Sequence, residues 1–82
     1  MKVQLRYFAS VRETLGHTAE TLETQAPDVQ TLLQELRLRS PAHAQALDLK
    51  GLRMACNQSL CDGATPLSDG CEIAFFPPVT GG

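Results

Sequence analysis

The chain ends Phe75-Phe76-Pro77-Pro78-Val79-Thr80-Gly81-Gly82, and the chemistry to expect there is that of a terminal carboxylate. No His, Lys or paired carboxylate stands near this end, so backbone properties must set its behaviour. Consecutive prolines fix φ and remove two donors, and a strand reaching Phe76 cannot extend its ladder past them. Pro77 holds Phe76 extended, and β-branched Val79 and Thr80 favour the same geometry. Gly81 and Gly82, lacking side chains, can thread a passage too narrow for other residues. Chance places Gly-Gly at the last two positions of about 0.5% of chains, and Phe-Phe-Pro-Pro-Val-Thr does not look like a linker or tag. Residues 77–82 therefore read as an extended tail that presents the Gly82 carboxylate, and residues 1–76 as the domain that holds it.

Other chemistries find little support. Cys56, Cys61 and Cys71 form no CxxC pair, and His17 and His43 are the only histidines, so the paired spacing of a metal site is missing. Free thiols in a reducing compartment are the expectation. Seven Lys and Arg against nine Asp and Glu give a net charge of −2 with no basic run, which argues against nucleic acid. There is no apolar run of membrane-spanning length and no signal-peptide layout, so no membrane partner and a cytoplasmic location are expected. At 82 residues the chain is one domain that buries about 60–65% of its unfolded surface, leaving little room for an internal active site. It is not expected to be an enzyme on its own.

The elements that must hold the tail can be read in order. Residues 2–9 alternate, with Val3, Leu5 and Tyr7 on one face and Lys2, Gln4, Arg6 and Phe8 on the other, as in a strand with one buried side. Ser10 is placed to cap a single helical turn over residues 11–15, stopped by Gly16. A threonine-rich second strand over residues 17–24 pairs antiparallel with the first. Asp28 caps the main helix, whose Val29, Leu32, Leu33 and Leu36 make one apolar stripe. Ser40-Pro41 starts a brief second helix over residues 42–47, with His43 at the surface. Leu52, Met54 and Cys56 mark a third strand, Asn57-Gln58 a tight turn, residues 59–61 a fourth strand and residues 71–76 the last.

The expected fold is α+β, in the order β-β-α-β-β-β. A mixed sheet has its first and last strands parallel in the middle and one main helix on one face. This is the layout of the ubiquitin-like β-grasp. If Val3, Leu5, Tyr7, Ile73 and Phe75 face the helix, Phe8 and Phe76 face away, joined by Leu60. Large apolar side chains on an uncovered face point to docking. Lys2, Arg6 and Arg53 share that face against Glu72, so the partner is expected to present acidic groups.

The chain resembles the MoaD family, the ubiquitin-like, sulfur-carrying small subunits of molybdopterin synthases. Tyr7-Phe8-Ala9, Val11-Arg12-Glu13 with Gly16, Pro27-Asp28-Val29, Asn57-Gln58, Leu60 and Pro66-Leu67-Ser68-Asp69-Gly70 carry the resemblance. The stretch from Ile73 to Gly82 completes it, and the ending is its most specific part. The resemblance implies a carrier cycle. A MoeB-like activating enzyme uses ATP to adenylate the Gly82 carboxylate, and a sulfur donor protein converts the acyl-adenylate to a thiocarboxylate. A MoaE-like large subunit then receives the tail, and sulfur passes to cyclic pyranopterin monophosphate to build molybdopterin. Adenylation suits a protein without catalytic groups, because it gives a poor acyl donor a good leaving group. By resemblance, partner contacts map to Phe8, Leu60 and Phe76 with tail residues Pro77, Pro78, Val79, Thr80 and Gly81. No cofactor is expected to be bound, and the assembly is a two-plus-two heterotetramer. Cys61 and Cys71 fall outside the family pattern. The alternatives are a ThiS-like carrier for thiazole synthesis, a ubiquitin-like modifier joined through Gly82 to target lysines, and an interaction domain with an inert tail.

Overall fold

A computed structural model describes residues 1–48 and 50–78. Five strands form one mixed sheet: β1 (Lys2–Tyr7), β2 (Ala19–Glu23), β3 (Arg53–Cys56), β4 (Ser59–Cys61) and β5 (Glu72–Phe76), in the order β2-β1-β5-β3-β4. β1 and β5 are parallel, and every other pair is antiparallel. The central parallel pair anticipated from the sequence is present, and it places β5 between two neighbours.

Three helices cover one face: α1 (Ala9–Leu15), α2 (Val29–Arg37) and α3 (Pro41–Leu47). α2 forms because Asp28 accepts the Thr31 N–H at 2.8 Å as N-cap, satisfying a donor that the helix itself cannot. Its buried residues are Val29, Leu32, Leu33 and Leu36, the stripe the spacing predicts. Against it lie Val3, Leu5, Tyr7, Ile73 and Phe75, each no more than 1% exposed. Ser40 caps α3 through the His43 N–H, with Pro41 in the first turn. Arg37 donates to the Leu47 carbonyl at 3.0 Å and ties α2 to the end of α3.

Local readings of the sequence fail at three places. α1 begins at Ala9 and its N-cap is Phe8, which makes no side-chain cap bond; Ser10 lies inside the helix and does not cap it. The Phe8 N–H stays in the sheet, donating to the Phe75 carbonyl at 3.1 Å, while its own carbonyl accepts from Val11 at 3.2 Å. Strand and helix therefore meet at one residue, and Ala9 absorbs the bend with φ 51°. His43 is half-buried instead of lying at the surface, with Nδ1 at 2.7 Å from the Ser40 hydroxyl. β2 starts at Ala19, two residues later than the threonine pattern suggests. The Asn57-Gln58 turn is as tight as expected, with φ of 50° and 72°, the positive pair that a two-residue hairpin requires.

Candidate functional site

The strand that leads to the tail is held on both sides. β5 pairs with β1 from Gln4↔Glu72 to Tyr7↔Phe75, and with β3 from Cys56↔Ile73 to Arg53↔Phe76. Its start is pinned as well. The Gly70 N–H reaches the Lys2 carbonyl at 2.6 Å, and the Lys2 N–H reaches Asp69 Oδ1 at 2.8 Å. Pro77 and Pro78 follow directly and are half-buried. The expected reactive residue Gly82, with Gly81, Thr80 and Val79, lies outside the described residues.

Strand alternation puts Lys2, Gln4 and Arg6 of β1 on the face opposite the helices, with Glu72, Ala74 and Phe76 of β5, Arg53 and Ala55 of β3, and Leu60 of β4. The register aligns Arg6, Ala74, Ala55 and Leu60 in one row across four strands. Phe8, at the end of β1, continues the row that holds Phe76 and Arg53. Phe8 is 43% exposed and Leu60 64% exposed, and Phe76 is half-buried. The three residues expected to contact partners therefore share one face. Two alanines stand between Leu60 and Arg6 in the row they share, and the phenylalanine pair lies in the next. Neighbouring strands lie about 4.8 Å apart, so the alanines form a low floor about two strands wide between larger side chains. Ala55 and Ala74 escaped the sequence reading because alternation assigns a face, while only the register shows which residues lie side by side.

Arg6 is partly engaged already. It pairs with Glu72 at 3.5 Å and lies 5.9 Å from the centre of the Phe8 ring. An exposed pair of this length contributes little, so its guanidinium is available to an acidic group on a partner. Arg53 is exposed on the same face.

A second polar group of residues sits at the other end of the sheet, at β2. The Tyr7 hydroxyl donates to Glu20 Oε1 at 3.1 Å, His17 Nε2 lies 3.0 Å from Glu20 Oε2, and Arg39 also bonds Glu20. Burial pushes the Glu20 carboxyl up, but the hydrogen bonds and charge of Arg39, helped by Tyr7, outweigh it and hold the carboxyl below its usual range. Burial, then the Glu20 charge, drives the Tyr7 phenol well above its ordinary value. This network fastens β2 and the end of α2 to the core.

Cys56, Cys61 and Cys71 are free. Burial raises the Cys56 and Cys61 thiols, the reverse of what an activated sulfur nucleophile requires. Among the described residues no group of three His, Cys, Asp or Glu could hold a metal, and no helix is long and apolar enough to cross a membrane.

A helix-covered mixed sheet, with a central strand running out into a Pro-Pro tail, defines a β-grasp carrier. The ThiS family model matches residues 5–82, and the chain belongs to that family. It is 42% identical to the molybdopterin synthase sulfur carrier subunit of Escherichia coli K12, over 98% of this chain and 99% of that one. The protein of the same name from Mycobacterium tuberculosis H37Rv is 38% identical, over 100% and 99%. Among solved structures, the complex of subunits 1 and 2 of the molybdopterin-converting factor from Helicobacter pylori matches with TM-score 0.72 and 29% identity, covering all of both chains. SAMP1 of Haloferax volcanii superposes with TM-score 0.82 at 21% identity over all of both chains, a likeness of fold alone. The resemblance to the MoaD family and the β-grasp architecture both hold.

Proposed function

We propose that this chain is the sulfur carrier subunit of a molybdopterin synthase, with the Gly82 carboxylate as the site of sulfur loading. The observation that carries the reading is the near full-length identity to proteins of that name. The cycle begins when a carboxylate oxygen attacks the α-phosphorus of ATP on an activating enzyme and pyrophosphate leaves. A persulfide on a donor protein attacks the acyl carbon and AMP departs; a second thiol then cleaves the acyl disulfide, which leaves the thiocarboxylate and a disulfide on the donor. The loaded tail enters the large subunit, and its sulfur bonds to a side-chain carbon of cyclic pyranopterin monophosphate as the oxygen substituent there leaves. Water then cleaves the resulting thioester, which leaves sulfur on the pterin and restores the carboxylate. A dithiolene holds two sulfurs, so two loaded carriers serve each product.

The face bearing Phe8, Leu60 and Phe76 docks on the large subunit, and a MoaE-like partner accords with the Helicobacter pylori complex of subunits 1 and 2. Arg6 and Arg53 favour acidic groups opposite them. The free thiols suit a reducing, cytoplasmic setting, and the complex is a two-plus-two heterotetramer. The carrier contributes no catalytic side chain and binds no cofactor of its own.

The test combines the thiocarboxylated protein with the large subunit and the pterin precursor. Molybdopterin should form, and a chain ending at Gly81 should form none while melting at the same temperature. Activity in the truncated chain would sink the reading. Thiazole-forming activity in place of molybdopterin would reassign it to the other carrier class, and isopeptide-linked lysines in cell extracts would make it a modifier.

A further inference from the structure

Among the described residues, Pro77 and Pro78 have a neighbouring strand end on one side only. β1 has already turned away into α1 after the Phe8–Phe75 bond. On the other side, the register that sets Arg53 against Phe76 continues to place Leu52 beside Pro77 and Gly51 beside Pro78. Neither proline has an N–H to donate, so packing has to do what hydrogen bonds do within the sheet.

Gly51 supplies that packing surface. A Cβ placed on it would come within 3.2 Å of Pro78 Cβ, closer than relaxed carbon–carbon contact, and lie 3.5 Å from Pro78 Cγ. Gly51 also has a positive φ, +81°, but Gly16 at +83° and Gly70 at +82° share it and have no atom within 4 Å of an added Cβ. A positive φ accounts for all three glycines, and contact with the root of the tail is particular to Gly51.

We propose that Gly51 is a positioning residue for the tail: its bare Cα seats the Pro78 ring and so aims the chain as it leaves the domain. The consequence for sulfur transfer rests on the carrier reading above, whereas the contact itself does not. The reach of four residues is at most about 14 Å, so a tilt of about 5° at Pro78 displaces a point at that limit by about 1 Å. Displacement on that scale at a reacting group can slow a reaction by up to about a hundredfold.

Gly51→Ala and Gly16→Ala, made in the full chain, form the decisive pair. Each puts a Cβ on a residue at positive φ, and only the first meets the tail. Amide correlation spectra should show the resonances of Val79, Thr80, Gly81 and Gly82 shifted in Gly51→Ala and unmoved in Gly16→Ala. Thiocarboxylates of both, prepared by sulfide cleavage of an intein fusion, should then differ in single-turnover sulfur transfer to the pterin precursor on the large subunit. Gly51→Ala should be slower by about tenfold, with Gly16→Ala matching the parent. Unmoved tail amides in Gly51→Ala, or equal transfer rates for the two variants, would overturn the proposal. If Gly51→Ala does not fold, Pro78→Ala probes the contact from the other side: the Gly51 amide should shift, and an unchanged Gly51 overturns the proposal. A parent thiocarboxylate that transfers no sulfur defeats the carrier reading, and the amide comparison still decides what Gly51 does.

Discussion

The two faces of β1 and β5 share a backbone and differ in what they answer to. Towards the helices, Val3, Leu5, Ile73 and Phe75 are wholly buried, and burial on this scale drives folding. One residue along, the side chains face outward, and this face is itself divided. Beside β2 it carries Thr21 and Glu23, as a solvated sheet face should. Across β5, β3 and β4 it carries Phe76, Ala74, Ala55 and the exposed Leu60, next to the root of the tail. Alternation makes the fold, and the stretch of the outer face where these apolar side chains stand among Arg53 and Glu72 is the surface proposed for the large subunit.

Substitutions on each face can break or sharpen that division. The largest effect belongs to the inner face. Phe75→Ala should lose about 3–5 kcal/mol in urea unfolding, a large share of the about 5–15 kcal/mol that holds a small domain together. Outer-face changes should separate binding from stability. Phe8→Ala and Leu60→Ala should each weaken the large subunit's affinity by about 1–2 kcal/mol in calorimetric titration. Their stabilities should move by less than about 0.5 kcal/mol. A Leu60→Ala that unfolds as readily as Phe75→Ala would erase the distinction.

The smallest effect lies at the β2 edge. The folded state holds Glu20 below its ordinary 4.5, so folding favours its ionised form. Its contribution is present above that value and is lost as pH falls through the lower, folded value. Glu20→Gln should therefore lower the melting temperature at neutral pH and flatten its fall in acid. An acid limb identical to that of the parent would show that the Arg39, Tyr7 and His17 contacts do not hold this edge.

Much of the scaffold was legible because its signals are local. Val3-Leu5-Tyr7 and Val29-Leu32-Leu33-Leu36 name their faces through periods of two and 3.6. Asp28 and Ser40 cap their helices through bonds that reach three residues ahead. Ser10 misled because the start of α1 is set by a distant partner, the Phe75 carbonyl that keeps Phe8 in the sheet. His43 misled because its burial depends on where α3 packs. Phe8, Leu60 and Phe76 were assigned a face by alternation. Their arrangement around Ala55 and Ala74 came from the strand order and register.

The sequence by itself determined a β-grasp with one apolar sheet face, a Pro-Pro break and a Gly-Gly end, since each follows from the φ, ψ and hydrogen-bonding limits of residues close in the chain. Only the tertiary structure decided that Gly51 lies under Pro78, that Glu20 gathers Tyr7, His17 and Arg39, and that two alanines separate Leu60 from Arg6. Those facts depend on which strands lie side by side and in what register. Pairings between residues far apart in the chain leave no periodic trace in either partner's own stretch of sequence.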